Sequence, residues 1–280
     1  MIRTTVLLAA ALCGLAAPAT AHNQWLLPSS TVLSDLGQSV TVDAGASTAP
    51  FEADHAALPA EMVKVWAPDG TMGSIENAAR LRYRSTFDVR IDKPGTWRIG
   101  MENNAVTGSF KLDGETWTLG RRRGPPPAAG APVRNIASVD ELPAGATDLD
   151  LTQVMSRNEF FVTAGEPSEA LFAPTGKGLE IVPVTLPTDL VANEPGQFRF
   201  LVDGAPAAGL AVEVIPGGRR YRSDSQTLAL TTDAEGLVTI NWPSAGFYWL
   251  NAVMTDANPG HPKASKRRMS YTATLEVLAP

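Results

Sequence analysis

One cysteine and three histidines are all the thiol and imidazole in this chain of 280 residues. The cysteine, Cys13, lies inside the first apolar run. Beyond it no disulfide can staple a fold, no thiol nucleophile exists and no cysteine metal cage can form. No segment holds a helical period over a useful length, which excludes a coiled coil or a helical bundle. No Gly-x-Ser-x-Gly is present. The one long apolar run, Val6 to Ala17, is too short for a membrane anchor. The formal net charge is −6, which argues against nucleic acid as a partner.

What is present begins with an export signal. Met1-Ile2-Arg3 is a positive start, the apolar run follows, and Ala19-Thr20-Ala21 fits the small-x-small cleavage pattern. The expectation is a cut after Ala21, a periplasmic protein and no stable membrane tether. Cys13 is too far from the cut for lipidation. The mature chain would then begin at His22. A free α-amine and an imidazole on one residue can close a six-membered chelate ring on a metal ion.

Twenty-four glycines and twenty-two prolines punctuate short alternating stretches, which predicts an all-β protein. Residues 22–120 read as a first β-sandwich domain. Its strands include Gly37–Ala44, Met62–Trp66, Leu81–Ile91 and Thr96–Met101. Leu81, Tyr83, Phe87, Val89 and Ile91 form one apolar set. Asp113-Gly114 is a hairpin signal. Residues 121–178 read as a proline-rich linker and connecting segment. It opens on Arg121-Arg122-Arg123 and contains a helical turn near Ser138–Pro143 and a strand at Glu159–Ala164. Residues 179–280 read as an immunoglobulin-like sandwich of seven strands. These are Leu179–Val184, Gln197–Val202, Ala211–Ile215, Leu228–Thr232, Leu237–Trp242, Phe247–Met254 and Tyr271–Leu278.

Several short patterns occur in a fixed order. They are His22-x-x-Trp25-Leu26-x-Pro28, Asp43-Ala44-Gly45-Ala46, Phe51-Glu52-x-Asp54-His55 and Gly176-Lys177-Gly178-Leu179-Glu180-Ile181-Val182-Pro183. Later come Asp203-Gly204-x-Pro206-x-x-Gly209, Thr232-Asp233-Ala234-Glu235-Gly236, Ala245-Gly246-x-Tyr248-Trp249-Leu250 and Tyr271-x-Ala273-Thr274-Leu275. With these the chain resembles the exported family named domain of unknown function 4198. Members are sometimes described as the periplasmic component of cobalt or nickel uptake. The resemblance implies two β domains, export and a link to an envelope transport complex.

The residues themselves point to nitrogen ligands. His55 sits beside Glu52 and Asp54, just after the first strand pattern. The His22 amine, the His22 imidazole and the His55 imidazole make a site suited to nickel, cobalt, copper or zinc. Asp54 or Glu52 would be a fourth ligand or would orient an imidazole. His261 lies in a turn near Lys263, Lys266, Arg267 and Arg268 and is left out. The leading expectation is a non-enzymatic protein that binds or delivers a transition metal for uptake. One alternative is an envelope adaptor without metal, docking an outer-membrane receptor complex through Arg121–Pro127. Another is a copper histidine-brace polysaccharide oxidase, which needs a flat aromatic face around His22.

Overall fold

A computed structural model describes residues 22–121 and 130–280. The expected signal, 1–21, and most of the arginine and proline loop, 122–129, lie outside the described residues. In chain order the first strands are β1 (Asn23–Pro28), β2 (Val32–Leu33), β3 (Gln38–Ser47), β4 (Ala56–Ala57), β5 (Lys64–Trp66), β6 (Ile75–Arg80), β7 (Arg84–Ile91), β8 (Gly95–Leu112), β9 (Glu115–Leu119), β10 (Asn135–Ile136) and β11 (Thr147–Ala164). There follow β12 (Leu179–Pro183), β13 (Leu190–Val191), β14 (Pro195–Val202), β15 (Ala205–Pro206), β16 (Ala211–Pro216), β17 (Leu228–Thr231), β18 (Leu237–Asn241), β19 (Gly246–Asp256) and β20 (Lys266–Leu278).

The fold is all-β. The second half is an immunoglobulin-like sandwich, and its strand order says so. β12, β14 and β18 form one sheet; β17, β16, β19 and β20 form part of the other, with the short β13 running parallel to β20. Tyr248, near the start of β19, donates its hydroxyl to Ser244 O four residues upstream at 2.8 Å. That back-bond is the tyrosine corner of such sandwiches. All seven strands expected in this half form. Asp203 and Gly204 both take positive φ, 50° and 83°, and close the tight turn between β14 and β15 as a type I′ pair.

The first half stacks the sheet β1-β3-β7-β6 on the strands β5, β8 and β11. The reading of 121–178 as linker requires correction here. β11 pairs antiparallel with β8 from Ala164↔Gly95 to Thr147↔Lys111 and parallel with β20 from Thr152↔Lys266 to Glu159↔Ala273. It therefore fuses the two halves into one 11-stranded sheet. Register then decides where each core lies. Paired residues share a face, and successive residues alternate. Arg157 pairs with Tyr271, so Phe160 and Val162 project from the opposite face. Phe160, Val162 and Ala164 complete the first core with Ile99, Phe87 and Leu26. Tyr271, Ala273 and Leu275 build the second with Phe198, Phe200 and Trp242. The two cores sit on opposite faces of one sheet. Residue 120 fails as a boundary because the first core is incomplete without residues 160–164.

A second difference concerns Leu81–Ile91. The strand starts only at Arg84, and Leu81 and Tyr83 stay exposed at the turn between β6 and β7. The inward phase was right, for Phe87, Val89 and Ile91 are buried. The expected helical turn forms as a 3₁₀ turn at Val139–Glu141, capped by Ser138 accepting from Asp140 N.

Candidate functional site

The site grows from β1. β1 and β3 run antiparallel with Asn23 opposite Ser47, so His22 falls beside the start of the loop that follows β3. His55 ends that loop. The two imidazoles meet face to face, ring centroids 3.4 Å apart and planes 7° from parallel. Both side chains are exposed.

Several interactions hold this meeting point. Asn23 Nδ2 donates to Thr48 O at 3.1 Å. Trp25, 1% exposed, donates Nε1 to Ser47 Oγ at 2.7 Å. Its indole needs the space that Gly45 leaves: a Cβ there would lie 2.6 Å from Trp25 Cζ2. Trp249 donates Nε1 to Gln24 O at 2.9 Å, tying β1 to the second half. Trp25, Trp249 and Ile215 form a small core with Leu27, Phe51 and Ala53 packed on it. Phe51 takes φ 67°, strained for a side chain of its size; it meets Trp25 edge-on at 6.0 Å.

The two carboxylates expected as ligands serve the loop instead. Asp54 Oδ1 accepts from Thr48 N at 3.1 Å, closing the loop on itself. Glu52 Oε1 accepts from Arg220 N at 2.8 Å, pinning the loop to the second half. Among the described residues no three His, Cys, Asp or Glu side chains cluster as a metal cage. The α-amine, which exists on His22 only after cleavage, is not a side chain and stands outside that census. With a cut after Ala21, the donors at the pair would be two imidazoles plus that amine. Parallel rings do not aim their in-plane lone pairs at one point. One exposed ring must turn for both to bond a single ion at the usual distance of about 2 Å.

His261 lies elsewhere, its Nδ1 accepting from Lys263 N at 3.2 Å. The tryptophans do not form a flat face around His22: Trp25 and Trp249 are buried, and Trp66 stacks under Arg98 at 3.9 Å. What the sequence reading missed is the anchoring. Trp25, Gly45 and Trp249 were in the short patterns, but their mutual contacts are set by pairing across the fold.

Fold and site together define a β protein of two fused sandwiches with a histidine pair at its N-terminal strand. Residues 19–256 match the family described as Domain of unknown function (DUF4198), and the chain belongs to that family. No curated protein matches it. Among solved structures the chain is similar to the D0-D1 domain of intimin, at 13% identity over 90% of this chain and 97% of that one, TM-score 0.22. It is similar to the human OSCAR ligand-binding domain, at 11% identity over 92% and 100%, TM-score 0.19. It is also similar to a DUF4785 family protein from Legionella pneumophila, at 9% identity over 81% and 50%, TM-score 0.23. None superposes closely, and the fold stands on the strand order above.

Proposed function

We propose that the exported chain is a non-enzymatic periplasmic protein that binds a transition metal ion and hands it on for uptake. The His22 amine and imidazole chelate the ion, and the His55 imidazole completes a three-nitrogen site. Nickel, cobalt, copper and zinc all suit such donors. The observation that supports this reading is the contact of His22 with His55, two residues 33 positions apart brought to 3.4 Å by β1 pairing. Trp25, Asn23 and the Glu52–Arg220 contact keep the loop where this contact is made.

Titration calorimetry with the four metals tests it on four proteins. These are the mature chain starting at His22, the same chain with one alanine before His22, His55→Ala and His261→Ala. The extension moves the free amine off the chelating residue. It and His55→Ala are expected to weaken binding by more than about tenfold, the scale on which losing a supporting group of a metal site acts. His261→Ala is expected to bind as the native chain does. Ligands must shed protons to bind, so affinity is expected to fall as the solution is acidified. Equal affinity of native and extended chains overturns the amine as ligand.

A further inference from the structure

The hairpin of β6 and β7 ends in Arg80-Leu81-Arg82-Tyr83-Arg84. Leu81 N donates to Arg84 O at 2.9 Å and closes the turn. Leu81 is 50% exposed and Tyr83 37%, and all three arginines are exposed. Their charge is barely answered. Arg84 lies 3.3 Å from Asp43. Arg80 reaches only the carbonyl of Ala57 at 3.5 Å, and Arg82 lies over the Tyr83 ring, 5.2 Å from its centroid. This cationic apex stands on a chain of net charge −6.

Edge protection accounts for part of it. β6 is the outer strand of its sheet, and its irregular register between Glu76 and Ala79 deters pairing with another strand, as do its charges. That role gives no reason for two exposed apolar side chains set between three arginines at the tip. Such a tip has the make-up of a membrane-interface contact: arginines reach phosphates, and Leu and Tyr enter the headgroup layer. We propose that the Arg80–Arg84 apex docks the protein on an anionic phospholipid surface. An acidic protein face would answer the arginines but would leave Leu81 and Tyr83 without a role.

The apex and the histidine pair lie at one end of the sheet. Ser85 pairs with Ala44, and its Oγ donates to Leu58 O at 2.6 Å. β4, which directly follows His55, continues along β3 at Gly45 and Ala46. Docking therefore brings the end that carries His22 and His55 to the lipid surface. That consequence rests on the metal reading; the docking does not.

The test is co-sedimentation of the mature chain with phosphatidylglycerol–phosphatidylcholine vesicles and with pure phosphatidylcholine vesicles, without metal. Saturable binding to the anionic vesicles alone is expected, weakened by salt. Arg82→Glu should lower the partition coefficient roughly tenfold. The double change Leu81→Ser with Tyr83→Ser should lower it too. Arg268→Glu, exposed on β20 in the other half, should leave it unchanged. All these sites are exposed, and circular dichroism checks that each variant folds. Absence of binding at low salt overturns the proposal, as does a loss with Arg268→Glu equal to that with Arg82→Glu. A loss with Arg82→Glu but none with the Leu81/Tyr83 pair also overturns it and points to an acidic protein face. None of these outcomes touches the calorimetric test of the metal site.

Discussion

Arg267 holds several ends of the second sandwich together. It is 6% exposed, and its guanidinium donates to Asp203 in the β14–β15 turn and to Asp256 at the end of β19. Asp203 also accepts from Gly178 N, just before β12, at 2.8 Å. Hydrogen bonds from Arg267, outweighing burial, hold both carboxyls below the usual carboxylate range. A carboxyl whose folded pKa is depressed contributes stability that is full above its ordinary value and lost as pH falls through the folded one. Native stability should therefore decline as the pH is lowered through the ordinary carboxylate range and below it. Arg267→Met should cost about 3 kcal/mol at pH 7, because it leaves two carboxylates without their counter-charge, and should flatten the acid dependence. Urea unfolding across that pH range measures both. An unchanged acid slope in the variant would mean that other carboxyls govern it. Deeper in the sheet, Tyr271 donates to Glu159 Oε1 at 2.7 Å, linking β20 to β11. Burial, then the negative Glu159, pushes its phenol well above the ordinary value, so this bond persists at any physiological pH.

Among the elements, β1 matters most to the site, because its pairing with β3 sets where His22 lies. The ordered patterns His22-x-x-Trp25 and Asp43-Ala44-Gly45-Ala46 were legible as motifs. Their physical sense appears only in the pair, where Gly45 makes room for the Trp25 indole. Gly45→Ala should push the ring off Ser47 and cost about 2 kcal/mol, the usual scale of overpacking. If His22 and His55 hold a metal as proposed, the same variant should weaken that affinity although it touches neither histidine. Denaturant midpoint, tryptophan emission and calorimetry on one preparation check this. A stable variant with native emission would show that β1 shifts to absorb the methyl. Hairpin turns were the easiest elements to read, since Asp113-Gly114 and Asp203-Gly204 name their own backbone conformation. Leu81 and Tyr83 misled because alternation marks the phase of a strand but not where it ends. The turn was closed by Arg84, whose carbonyl accepts from Leu81.

At the scale of the whole molecule, β11 makes the halves inseparable. Its even residues complete the first core while its odd residues line the face that carries the second. The chain should unfold in a single transition, with tryptophan fluorescence and far-ultraviolet circular dichroism coincident. A fragment ending at residue 145 should fail to fold on its own. Two resolved transitions would show that the shared strand does not couple the cores.

The sequence by itself determined the fold class, the seven strands of the second sandwich and the tight turns, and it singled out His22 and His55 as candidates. Those features depend on local period, turn chemistry and scarcity, all readable along a line. Only the tertiary structure decided that β11 belongs to both halves, that the cores lie on opposite faces, and that Glu52 and Asp54 fasten the loop. Which strand pairs with which, and in what register, depends on contacts between residues far apart in the chain. A shift of one residue reverses every side chain, and no local pattern records it.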